Sequence, residues 1–240
     1  PAWRDQARAL GYTVVDPSTA IATHMNKVLR DSAHELLSHD EAQKLLDKLA
    51  AKSPKLVEEL VPGKLSLGVV TRTLQNLLQE SVPIRDMRTV VEALTEVSGR
   101  TQDPDQLAQL VRPKLGRMIV QGLLENRDTL SVMTLDPHLE QLLHNVLQQN
   151  NGSPGMVLEP SLAESLFAAL RESARNTEEQ GFAAVLVVSP AIHPWMSKAV
   201  RFRVSDLTVL SYSEIPDDQP VKVIHTVQAD PRNNTPVTKA

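Results

Sequence analysis

Apolar residues recur at helical spacing through most of the first half of the chain. Leu67, Val70, Leu74, Leu77 and Leu78 share one face of a helix capped by Ser66, and Ile84, Met87, Val90, Val91, Leu94 and Val97 share a face of the next, started by Pro83. Upstream, Trp3 to Leu10 reads as a helix end stopped by Gly11, and Tyr12-Thr13-Val14-Val15 as a short β-branched strand. Asp16-Pro17 is a strong helix start, because Asp caps and Pro loses nothing in a first turn. That helix is predicted to run to about Leu37, with Ile21, Met25, Val28, Leu29 and Leu36 available for a buried stripe. Asp40 is the expected cap of a helix over 41–51, and Ser53-Pro54 opens a short one closed by Pro62-Gly63. Asp103-Pro104 starts another carrying Leu107, Leu110, Val111, Leu115 and Ile119, which Pro113 should kink or split.

After about Gly122 the period changes. Thr129 to Leu135 reads as a strand, and Asp136-Pro137 starts a helix with Leu139, Leu142, Leu143, Val146 and Leu147 inward. A polar loop over 148–155 precedes a long helix from Pro160 to about Gln180. Ala183 to Val188 is an almost wholly apolar strand, which implies burial on both faces. A helix around Trp195 to Phe202 leads to a strand over 207–210, and 221–227 is the last strand. The predicted class is α+β with several subdomains. It comprises a strand–helix piece over 1–37, an all-helical subdomain over 38–122, a small α/β subdomain over 123–228 and a disordered tail over 229–240.

Composition narrows the function. The chain has 240 residues, 41% of them hydrophobic but only 3% aromatic, so its core must be aliphatic. The net charge is −4, without the basic footprint of a nucleic-acid binder. Cysteine is absent, which removes disulfides, thiol catalysis and thiolate-bound zinc. No run approaches the roughly 20 apolar residues of a membrane helix, and the polar opening Pro1 to Asp5 is not expected to be a signal peptide. Read by itself, the chain is expected to be soluble and cytoplasmic. It opens on Pro1 rather than Met, inside a helical stretch, which predicts a piece of a longer protein.

Candidate chemistry is sparse. His24, His34 and His39 are the closest histidine cluster, but the first two lie about 80° and roughly 15 Å apart on a helix, so no metal is expected. Ser189-Pro190-Ala191-Ile192-His193 follows the buried strand, where α/β folds place active residues. A small α/β enzyme using Ser189 or His193 is therefore one alternative. The Ser lacks the flanking glycines of a nucleophile elbow, and Ser-Pro also reads as a plain turn. Phosphate-binding glycine loops are absent, so no nucleotide or other cofactor is expected. Arg85, Asp86 and Arg88 form either a solvated helix face or a subunit contact.

One string answers to no rule of helix building: Leu74-Gln75-Asn76-Leu77-Leu78, then Val82-Pro83-Ile84-Arg85-Asp86-Met87-Arg88-Thr89. It resembles the cytoplasmic part of the flagellar type III export-gate family, the FlhA family. Gly11 to Ser18, Ala22-Thr23-His24, Glu41 to Asp47 and Leu60-Val61-Pro62 resemble it too, in order, over about 11–215. The resemblance implies a non-catalytic docking platform, the C-terminal part of a gate whose membrane domain lies elsewhere. The full-length protein would be a multi-pass protein of the bacterial inner membrane, with this part on its cytoplasmic face. Implied partners are export chaperones with bound flagellar substrates, export ATPase-complex components, and further copies in a nonameric ring. The Ala-Thr-His turn would line a chaperone-receiving dimple, with Thr23 and Ala20 on one wall. By the residues alone Thr23 is a half-buried helix threonine. Virulence type III secretion gates share the fold and supply a second alternative, although the Pro-Ile-Arg-Asp-Met-Arg form is closer to the flagellar branch.

Overall fold

The computed structural model describes residues 10, 14–124, 127–149, 158–204 and 206–229. The predicted helix end before Gly11, residues 12 and 13 of the predicted strand, and residues 230–240 of the tail lie outside them. Val14 and Val15 are described and belong to no strand.

Seven helices come first: α1 (Pro17–Asp31), α2 (Ala33–Leu36), α3 (His39–Ala50), α4 (Pro54–Leu60), α5 (Leu67–Gln79), α6 (Met87–Val97) and α7 (Pro104–Leu123). Then follow β1 (Leu130–Leu135), α8 (Pro137–Gln149), α9 (Pro160–Glu179), β2 (Val185–Val188), α10 (His193–Arg201), β3 (Thr208–Ser211), a 3-10 turn (Tyr212–Glu214) and β4 (Val221–Val227). The strands form one parallel sheet in the order β3-β2-β1-β4. The protein is thus a helix-rich α+β fold with a small parallel sheet.

Local chemistry explains most element ends. Asp16, Ser66 and Asp103 cap α1, α5 and α7 as predicted, each accepting a backbone N–H of the first turn. Other boundaries move. The first helix breaks at Ser32 instead of reaching Leu37. Helix α3 begins after Ser38 rather than Asp40, and Ser38 bonds Glu41 across capping-box spacing. Helix α6 begins at Met87, with Asp86 as its cap, so Pro83 and Ile84 belong to the connection. Pro113 does not split α7; it lies on the exposed side of the helix. Gln148 and Gln149, the start of the predicted polar loop, close α8 instead, and residues 150–155 of that loop lie outside the described residues.

Two apolar cores lie on opposite faces of the sheet. One gathers Leu46, Leu60, Leu74, Leu77, Leu94, Leu107 and Leu115 of the helices with Leu130, Val132, Val185, Val187 and Leu210 of the strands. The other sets Met133, Leu135, Leu186, Val188 and Val209 against α8, α9 and α10. The alternation along β2 meets the two-period rule, and all four of its residues are buried, as its apolar composition predicts.

A buried ionic cluster joins the helical layer to the end of β3. Arg112 on α7 is 1% exposed. Its Nε and Nη2 donate to the Glu214 carboxylate at 3.0 and 2.7 Å, and its Nη1 donates to Glu80 at 2.7 Å, just past the end of α5. The Val209 carbonyl accepts from Nη2 at 3.3 Å, and Ser211 Oγ donates to Glu214 at 3.0 Å. Burial works against the guanidinium charge, yet Glu214 and then Glu80 hold its pKa above the ordinary arginine value. One turn along α7, a Cβ on Gly116 would lie 2.0 Å from the Glu214 carbonyl oxygen, so only glycine permits this approach.

Two outcomes follow from these contacts. Gly116→Ala should destabilise the protein by about 1–3 kcal/mol or more in urea unfolding, because the methyl group meets backbone rather than a flexible side chain; an unchanged midpoint would contradict the packing. Asp86→Ala should cost about 0.5–2 kcal/mol by removing the cap, whereas the exposed Arg85→Ala should stay within about 0.5 kcal/mol. Hydrogen bonds from Thr89 hold the Asp86 carboxyl below its usual pKa, so its contribution is present above the ordinary carboxylate range and lost as pH falls through the depressed value. The gap between wild type and Asp86→Ala should therefore narrow in acid.

Candidate functional site

Helix α1 carries the two residues that the sequence singles out, and it stands apart from both cores. Asp16 caps it, accepting from Thr19 N at 3.0 Å and Thr19 Oγ1 at 2.6 Å; these bonds hold the Asp16 carboxyl at about 2. None of its residues is buried. Ala20, Thr23 and Lys27 share one side at helical spacing, and all three are exposed. Ile21, Met25, Val28 and Leu29 share the other, at 66, 55, 47 and 52% exposure. The stripe predicted to be buried is open because no described element packs against that side; Leu36 is likewise 60% exposed. Thr23, read from its residue type as half-buried, is exposed as well.

The side bearing Thr23 is tied to the α/β part. Lys27 Nζ donates to both Asp206 carboxylate oxygens, at 2.5 and 2.7 Å, on the turn before β3. The bond to Asp206 raises the lysine pKa. Asp206 has φ 58, a left-handed backbone that Asp tolerates better than most residues. Beside it an open cleft of about 420 Å³ is lined by Glu178, Gly181, Phe182, Ala183, Asp206 and Thr208. Its shape is that of a shallow surface feature between elements. A small-molecule site is enclosed and mostly apolar.

The three charged candidates are not gathered into one site. Asp86 is occupied as a cap, receiving Thr89 N and Oγ1 at 3.2 and 2.6 Å. Arg88 pairs with Glu92 on its own helix at 2.8 Å. Arg85 is exposed in the connection before α6.

Ser189 and His193 do not form a nucleophile–base pair. The Ser189 N–H donates to Glu140 Oε1 at 2.8 Å, and its carbonyl accepts from His193 N at 3.0 Å, which is turn and first-turn bonding. The His193 ring points into the core, toward Gln109 and the Val209 carbonyl. Among the described residues no three His, Cys, Asp or Glu side chains are placed to hold a metal ion, and no helix is long and apolar enough to cross a membrane.

Sequence reasoning missed Lys27, Asp206 and the Arg112 cluster. The cluster left one trace: Arg112 lies on the Ala108–Gly116 stripe, where the pattern calls for an apolar residue. Its partner Glu214 is 102 positions away, and no local pattern reveals it.

The comparisons with known proteins agree with this architecture. The flagellar biosynthesis protein FlhA of Escherichia coli K12 is 42% identical over 226 residues, covering 94% of this chain and 32% of the relative. The chain therefore spans about a third of that relative's length. Among solved structures, Chlamydia pneumoniae CdsV in complex with CdsO matches with TM-score 0.80 at 22% identity, over 94% of this chain and 65% of that one. Nonameric EPEC SctV-C, solved by cryo-EM, matches with TM-score 0.74 at 26% identity, over 87% and 62%. A family model described as the FHIPEP family matches residues 1–220, and the chain belongs to that family.

Proposed function

We propose that this chain is a docking part of a flagellar protein export gate, working by selective binding rather than bond chemistry. The observation that carries the reading is α1: a capped helix, exposed along its length, that presents Ala20 and Thr23 on the side from which Lys27 reaches Asp206 at the rim of an open cleft. Its partners are export chaperones carrying flagellar substrates and components of the export ATPase complex. The nonameric SctV-C relative and the CdsV–CdsO complex support assembly of the full-length protein as a ring and the binding of a further component. Arg85, exposed and uncommitted to a cap, is the best placed of the three charged candidates for a subunit contact. The site of action is the cytoplasmic face of the inner membrane, with the membrane domain in the remainder of the longer protein. The division into a leading piece, a helical subdomain and an α/β subdomain belongs to this reading, with the sheet shared between the two cores. The flagellar reading is favoured over a virulence gate by identity, 42% against 26% or less in the structures compared.

Thr23→Met in the full-length protein tests the reading. A larger side chain on an exposed helix face obstructs a docked partner, while stability at such a position changes by about 0.5 kcal/mol or less. Capture of export chaperones loaded with late substrates should weaken, with the melting temperature nearly unchanged. Unimpaired capture would take the docking face away from Thr23, and unfolding would make Thr23 a structural residue.

A further inference from the structure

His193 lies inside the buried ionic cluster, with 1% of its surface exposed. Its Nδ1 is 2.9 Å from Gln109 Oε1. Its Nε2 is 3.2 Å from the Val209 carbonyl oxygen and 3.7 Å from Glu214 Oε1. All three neighbours are acceptors. The Gln109 amide is oriented from its other end, where Nε2 reaches Glu80 Oε1 at 3.4 Å and so turns its oxygen to the ring. A neutral imidazole has one N–H, so whichever nitrogen carries it, the other aims a lone pair at an oxygen. Turning the amide over would set its oxygen against the Glu80 carboxylate instead.

An imidazolium satisfies both nitrogens but places a second cation beside Arg112 in a dry site. Burial and then Arg112 push the His193 pKa below the ordinary histidine value; Glu214, Glu80 and the Val209 carbonyl act the other way and are outweighed. The remaining charges around the ring sit farther out. Arg201, half-buried on α10, feels Glu80 and Asp105, and Lys198 pairs with Asp105 at 2.8 Å on the exposed side. The neutral ring leaves one nitrogen facing an oxygen without a proton, the charged ring meets Arg112 in a dry site, and both lie where α7, α10 and the end of β3 meet.

We propose that His193 is an acid-sensitive release point in the seam between the helical layer and the sheet, its protonation favouring an arrangement in which α10 and the end of β3 part from α7. The sign follows from linkage. A ring freed into water regains the ordinary histidine affinity for a proton, and the closed seam binds that proton more weakly. His193 therefore supports closure fully above the ordinary histidine range, and this support is lost as pH falls through the depressed value. The inference is independent of the docking role of α1.

Hydrogen exchange of the Val209 to Glu214 amides in the full chain, corrected for intrinsic exchange, tests it between pH 7.5 and 5.5. Protection should fall on acidification, by up to about tenfold for each unit separating the closed and open histidine pKa values. His193→Gln, which cannot charge, should show no such fall. Equal slopes in the two proteins, or protection that rises in acid, would overturn the proposal. Should the variant not fold, NMR titration of the His193 ring in the wild-type protein decides: it should titrate below the ordinary histidine value, with the Val209 to Glu214 amides losing protection over the same range, and a ring that titrates at or above that value refutes the idea.

Discussion

The bidentate pairing of Arg112 with Glu214 fixes how the two halves of this protein meet. A guanidinium removed from water is costly unless its donors find acceptors in good geometry. Here two carboxylates and a carbonyl accept from it, and each comes from a different element. The planar fork of arginine can address Glu214 with two parallel bonds and Glu80 with a third, which a lysine ammonium cannot reproduce. Several other features follow. Gly116 must lack a side chain so that the 3-10 turn can sit against α7, and Ser211 must supply a further donor to Glu214. Val185, Val187 and Leu210 of the sheet complete a core begun by α3 to α7.

Helix α1 lies outside this arrangement. Among the described residues the exposed Lys27–Asp206 pair ties it to the α/β part, and pairs of that kind contribute about 0–1 kcal/mol. A helix held so lightly moves at little cost, and binding elements are drawn from the weakly held end of a structure. The two sides of α1 are chemically distinct: an apolar stripe through Met25, and a side bearing Ala20, Thr23 and Lys27, the last of which pairs with Asp206. The proposed docking role uses the second side only.

How much of this was legible in the sequence depends on how local the determining contacts are. Caps at Asp16, Ser66 and Asp103 and the doubly buried β2 could be read directly, because a few neighbouring residues decide them. Pro83 misled because it favours a first helical turn without requiring one; Asp86, three residues later, supplies the side-chain cap that sets the start. The stripe through Ile21 is apolar by its spacing yet open in the structure, since periodicity gives the face of a helix and not what covers it. Arg112 was invisible for the opposite reason. Its charge makes sense only beside Glu214 and Glu80, which arrive from distant parts of the chain. Thr23 and Ala20 came from family resemblance alone, and composition would have left them unremarked.

The central structural claim is that a charged contact unites the helical layer and the sheet, and urea unfolding of Arg112→Ala tests it most directly. Removing the guanidinium leaves Glu214 buried without a counter-charge, so a loss of about 3–5 kcal/mol is expected, with α5 and β3 losing exchange protection together. A loss below about 1 kcal/mol, with either layer keeping its protection, would mean that the two apolar cores hold the halves in place and that the cluster is incidental.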